Sequence, residues 1–221
     1  MSTGVRVEPA DVVDLLTRER LRSYFHAVPD DARAVGLYEW NMRAAAAVME
    51  LTGAVEVVVR NAADVQLRAW ATTRRPGSSW LDVVPLDAQG KNDLVVARRR
   101  ATRGGKRAEV HGRVVAELSF GFWRYLFESR YLTALWTPAL HRAFPHGPAD
   151  ALTRQREVRT RMQQLHFVRN RAAHHEPIHG RDLRRDHDYA IELLGWIHPG
   201  AAAWAQDVTM LGTVLGARPS I

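Results

Sequence analysis

The chain contains no cysteine, which excludes disulfides and any thiolate metal site and fits a reducing compartment. Lysine is almost missing as well: Lys91 and Lys106 are the only two, so 29 of the 31 basic residues are arginine. No apolar run reaches the roughly 18 residues a transmembrane helix needs. The stretch from Met1 to Asp14 lacks the basic start and apolar core of a signal peptide. These absences lead us to expect a cytoplasmic protein with no membrane contact. There is no glycine-rich phosphate loop and no Gly-x-Ser-x-Gly elbow, which removes the commonest nucleotide-binding and serine-hydrolase signatures.

What is present describes a globular protein. Its 221 residues are 46% hydrophobic and 25% charged, enough to bury a substantial core. The net charge of +7 permits a polyanionic partner. The same arginine and alanine richness also arises from a GC-rich coding sequence, so the charge allows nucleic acid without requiring it.

Hydrophobic periodicity is helical nearly throughout, and the expected fold is all-α: one multi-helix domain over residues 1–221. Val12, Val13, Leu15, Leu16, Leu21, Tyr24, Phe25 and Val28 mark a first, peripheral helix over 9–28. A second helix through Leu37, Trp40, Met42 and Val48 is expected to be interrupted or kinked at Gly53 before Ala54–Ala71, which carries Val55, Val57, Val58, Leu67 and Trp70. The run Val57-Val58-Val59 has the composition of a strand, but helix-forming flanks argue against one. Further helices are expected over Asp87–Thr102, Val110–Glu128, Leu132–Phe144, Asp150–Glu176, Leu183–Ile197 and Ala201–Gly216. Looser joints fall near 73–86 and 101–110.

The chemistry concentrates in Val168-Arg169-Asn170-Arg171-Ala172-Ala173-His174-His175-Glu176-Pro177. Arg169 and His174 are five residues apart, about 140° around a helix, a gap that arginine's reach can bridge. Asn170 and His174 are four apart and share a face. Pro177 should end the helix at Glu176 and leave His174 in its last turn. An arginine can hold a scissile phosphate and a histidine can move the proton of a 2′-hydroxyl, so this spacing suits RNA cleavage without a metal. The plainer reading is a solvated basic helix, since Arg154, Arg156, Arg159, Arg161 and Arg171 share it. His175 competes with His174 for the proton-transfer role.

His175-Glu176-Pro177-Ile178-His179 also matches the two-histidine pattern of zinc proteases. That site needs one unbroken helix, and Pro177 stands between the ligands, so no metal site and no cofactor is assigned. Earlier in the chain, Glu56-Val-Val-Val-Arg60-Asn61 echoes the later Arg-Asn pair but has no histidine after it. Glu56 and Arg60 are spaced for a helical ion pair, and with Asn61 and His175 they are candidates for a supporting role. Leu118-Ser119-Phe120-Gly121-Phe122-Trp123 reads as core, with Gly121 admitting a close neighbour. Arg98, Arg99, Arg100, Arg103, Lys106 and Arg107 form a basic patch beside Gly104-Gly105 that could contact phosphates.

Three blocks in this order, Glu56–Asn61, Leu118–Trp123 and Val168–Ile178, resemble the bacterial Abi-like (abortive-infection, AbiD/AbiF-type) family of the HEPN superfamily. The resemblance is strongest over 35–200. It implies a helical domain and a metal-independent endoribonuclease with an Arg-x(4–6)-His motif, filled here by Arg169, Asn170 and His174. It also implies phage defence, a homodimer that joins two motifs into one composite site, and 2′,3′-cyclic phosphate products. An antitoxin or inhibitory RNA is a further expected partner besides the RNA substrate. The alternative is a helical RNA-binding or regulatory module without catalysis.

Overall fold

In the computed structural model, which describes residues 8–28 and 30–220, all regular secondary structure is helical. The protein is all-α among these residues. Helices α1 (Pro9–Leu16) and α2 (Arg18–Ala27) precede α3, a helix of 44 residues over Asp31–Arg74. Then come α4 (Trp80–Val83), α5 (Ala88–Ala101), α6 (His111–Glu117) and α7 (Phe120–Leu126). Tight helical turns span Ser129–Ala143, followed by α8 (Ala151–Ala173), α9 (Leu183–Ile197), α10 (Pro199–Val208) and α11 (Leu211–Gly216). No helix among the described residues is long and apolar enough to cross a membrane.

Helix α3 runs through Gly53 without the expected interruption. Val55, Val59, Ala63, Leu67 and Ala71 recur every four residues and are all buried, so one stripe faces the core. A lone glycine costs about 1 kcal/mol against alanine, too little to break a helix anchored by buried stripes. The valine run obeys the same period: Val57 is exposed while Val59 is buried.

Several other boundaries are set by caps that periodicity does not reveal. The expected first helix is split at Thr17, whose φ of +70° stops α1 and whose hydroxyl accepts from Arg20 N–H to start α2. Ser119 likewise divides Val110–Glu128 into α6 and α7; its hydroxyl accepts from Phe122 N–H at 3.3 Å. The segment expected as a helix over Leu132–Phe144 is a π-helical turn at Leu132–Trp136 and a 3-10 turn at Leu140–Ala143. The last expected helix is likewise two, α10 and α11, with the Glu50 carboxylate accepting from Met210 N–H at 2.9 Å between them.

The chain forms two compact units, each discontinuous in sequence. The larger comprises Thr52–Phe167 and Asp188–Val208. Its core carries Trp80, Phe122, Trp123, Phe127, Trp136 and Phe144 in mostly edge-on ring contacts. Gly121 serves a close approach, since a Cβ there would lie 3.2 Å from His166 Nε2 while that ring stacks on Phe120. One carboxylate ties three elements of this unit. Asp64 Oδ1 accepts from Trp80 Nε1 at 2.6 Å and lies 2.7 Å from His111 Nε2. His111 Nδ1 meets the Ser79 hydroxyl at 3.2 Å. The imidazole is thus held at both ring nitrogens, between the Asp64 carboxylate and the Ser79 hydroxyl.

The smaller unit draws on Met1–Leu51, Val168–His187 and Thr209–Ile221. It buries Leu21, Tyr24, Leu37, Trp40, Val48, Val168, Ile178 and Leu211. Trp40 Nε1 donates to Val214 O at 2.8 Å and tethers α11.

Gly53 is exposed and nothing lies within 4 Å of where its Cβ would stand. Gly53→Ala should therefore raise unfolding stability by about 0.5–1 kcal/mol. Urea denaturation with an unchanged slope would show it; a loss of stability would mean the helix needs its freedom there.

Candidate functional site

Helix α8 begins where Asp150 caps Thr153 N–H at 2.7 Å, and the same bond holds the Asp150 carboxyl below its ordinary range. Its other end departs from expectation. The helix stops at Ala173, before Pro177 can act, because His175 adopts φ +56°. Glu176 N–H then donates to Arg171 O (2.8 Å) and His175 N–H to Ala172 O (3.1 Å), the paired bonds of a Schellman ending. His174 is the capping residue, with its N–H on Asn170 O at 3.0 Å.

Side chains of the smaller unit fasten the backbone beyond this reversal. The Arg20 guanidinium donates to His175 O. Arg171 donates to Pro177 O at 2.9 Å and faces Glu176 at 3.4 Å. Asn41 Oδ1 accepts from Ile178 N–H at 2.8 Å, and Arg218 donates to His179 O at 2.8 Å. The His179 ring lies 4.7 Å from Tyr24, with Ser23 Oγ 3.4 Å from its Nε2. Burial, then the nearby Arg218 charge, pushes the His179 pKa below its usual value. Burial also raises the Tyr24 phenol to about 12, and its hydroxyl has no hydrogen-bond partner among the described residues.

Within this frame Arg169 and Asn170 are half-buried and adjacent, with Arg169 Nη1 donating to Asn170 Oδ1 at 3.3 Å. The amide thus restrains the guanidinium directly. His174 and His175 are both exposed at the helix end. The helix is not a uniformly solvated basic face. Arg171 fastens the turn, Arg154 donates to the carbonyls of Pro148 and His141, and Arg161 pairs with Glu157 and Glu192 beneath Trp196.

The remaining candidates belong to the larger unit. Glu56 and Arg60 are half-buried on α3 and Asn61 is exposed; Arg60 Nε donates to Asn61 Oδ1 at 3.4 Å, repeating the contact between Arg169 and Asn170. Of the basic patch, Arg98 is not open: it is half-buried and pairs with Asp82 and, at 3.6 Å, with Glu109. Arg99, Arg100, Arg103, Lys106 and Arg107 are exposed, and Arg103, Gly104 and Gly105 all have positive φ, which forms a compact turn. Among the described residues no group of three or more His, Asp or Glu side chains is placed to hold a metal ion.

The sequence did not point to a cleft of about 460 Å³ in the smaller unit. Met42, Ala45, Ala46 and Met49 of α3 line it, with Ala172 and Ala173 of α8. Its polar wall is Arg20, Tyr38, Asn41 and His175. His175, not His174, therefore borders this cleft. Arg20, Tyr38 and Asn41 lie more than a hundred residues before the motif, and no local pattern links them to it.

No family model matches the chain, and no curated protein or solved structure shows significant similarity to it.

Two outcomes follow from this geometry. A left-handed backbone at a residue with a Cβ costs about 1 kcal/mol, so His175→Gly should raise stability by about that much in thermal or urea unfolding. The second concerns pH. The folded state favours neutral His179, so its contribution is complete above the unfolded pKa of 6.5 and is lost as pH falls through the lower folded value. The melting temperature should drop on acidification from about pH 7 to about pH 5, and His179→Phe should reduce that drop. An identical drop in the variant would remove His179 as its source.

Proposed function

We propose that this protein is a metal-independent endoribonuclease of the HEPN type, related to the Abi-like abortive-infection family and acting in phage defence. The observation that carries the reading is the Arg169–Asn170 side-chain contact (3.3 Å) one turn before His174, at an exposed helix end that Schellman bonds hold in place. Asn170 restrains the guanidinium where a phosphate would be bound, and His174, one turn on at the helix end, keeps its imidazole exposed.

In this reaction the 2′-oxygen of one ribose attacks the adjacent phosphorus and the bond from phosphorus to the 5′-oxygen breaks. A histidine accepts the 2′-hydroxyl proton, and a second acid protonates the departing 5′-oxygen. The products are a 2′,3′-cyclic phosphate and a 5′-hydroxyl. Arg169 stabilises the charge that develops on the phosphate. One motif supplies one arginine and one proton-transfer histidine, so we further propose a homodimer in which two motifs face one phosphate. His174 is assigned the proton transfer and His175 is the substitute. An antitoxin or inhibitory RNA would restrain the activity in the cell.

Purified protein should cleave RNA in excess EDTA to cyclic-phosphate ends. Arg169→Ala and His174→Ala, matched to wild type by circular dichroism, should each lose about 100-fold or more in rate. Full activity in His174→Ala with loss in His175→Ala would move the proton transfer one residue. RNA binding without cleavage in any condition would favour a non-catalytic RNA-binding module.

A further inference from the structure

The cleft of the smaller unit contains a buried amide with an unfilled half. Asn41 is 4% exposed, yet it lines the cavity. Its Oδ1 is committed to Ile178 N–H at 2.8 Å, and a backbone N–H requires an acceptor, so the amide orientation is fixed. Nδ2 is turned away from that bond and has no acceptor among the described residues. An amide donor that faces a cavity can offer a hydrogen bond to a ligand there.

Beside Asn41, the same helix α3 lines the cleft with apolar groups. Met42, Ala45, Ala46 and Met49 follow one helical face, and Met42 is 56% exposed despite its apolar side chain. Thioether and methyl groups form a surface suited to the face of a planar ring. The phenol of Tyr38, half-buried, adds an aromatic side. Arg20 brings a cation to the mouth, and its hydrogen bond to His175 O leaves other guanidinium N–H groups available. The volume lies within the range of about 300–1,000 Å³ usual for small-molecule sites.

We propose that this cleft binds one nucleobase of single-stranded RNA, with the Asn41 amide donating to an acceptor on the base and Arg20 facing its phosphate. The ligand's identity rests on the ribonuclease reading above; the cavity and its open donor do not. The Asn41 amide offers donors only, and every base carries acceptors for them, as a carbonyl oxygen or a ring nitrogen.

The test titrates the four nucleoside 5′-monophosphates into the full-length protein, followed by calorimetry or amide NMR shifts. Saturable binding of the nucleoside monophosphates is expected. Ala46→Trp fills the cleft from an exposed position and should abolish it. Asn41→Asp keeps an acceptor for Ile178 N–H but turns the open donor into an acceptor, and should weaken binding about tenfold or more. Absence of saturable binding at millimolar ligand, or binding that survives Ala46→Trp in folded protein, overturns the proposal. A change of oligomeric state in Ala46→Trp, with no nucleotide binding in wild type, would also overturn it and make the cleft a seam between two copies. Nucleotide binding in a protein that never cleaves RNA would retire the nuclease and keep the cleft; cleavage without such binding would do the reverse.

Discussion

The left-handed residue at His175 is the constraint on which the motif region depends. It turns the chain out of α8 and leaves polar backbone groups at His175 itself and at three positions after it with no helix or strand to satisfy them. Each finds a side chain instead: Arg20 on His175 O, Arg171 on Pro177 O, Asn41 on Ile178 N–H and Arg218 on His179 O. The Ile178 N–H contact is buried, where an unpaired backbone donor would be costly, and the other three fasten the loop nearer the surface. The four side chains come from α2, α8, α3 and the C-terminal tail, which makes the loop the meeting point of the smaller unit's segments.

Arginine makes this possible. Its planar fork reaches carbonyl and carboxylate oxygens in fixed geometry and stacks on rings, which lysine's flexible ammonium does poorly. Arg161 is the fullest case, with two carboxylates in its plane's reach and the rings of Tyr189 and Trp196 against it. Arg181 pairs with the buried Asp186, where burial raises the carboxyl pKa and the arginine opposes that rise. A composition that read as coding bias is thus used structurally at many positions, and net charge overstates the basic surface left for a polyanion.

The all-helical class was legible because buried residues recur at helical spacing, as Val55, Val59, Ala63 and Leu67 do. The bounds of α9 were legible for the same reason. Termini were not, because single residues decide them through φ and side-chain hydrogen bonds: Thr17, Ser119 and His175 interrupt patterns that hydrophobicity alone continues. At the candidate site, the adjacency of Arg169 and Asn170 was readable as sequence neighbours on one helix. The cleft was not, since Asn41 and Arg20 reach it only through tertiary packing. Gly53 shows the converse error, a local breaker outweighed by the long buried stripe on either side of it.

Of the seven tryptophans, Trp40 alone belongs to the smaller unit; Trp70, Trp80, Trp123, Trp136, Trp196 and Trp204 belong to the larger. Intrinsic fluorescence of the whole protein is therefore dominated by the unit that does not carry Arg169 and His174. Trp40, whose indole is fixed to Val214 O and covered by Arg218, reads the other one. A version of the chain with Trp40 as its single indole would give an optical signal confined to the unit that carries the motif.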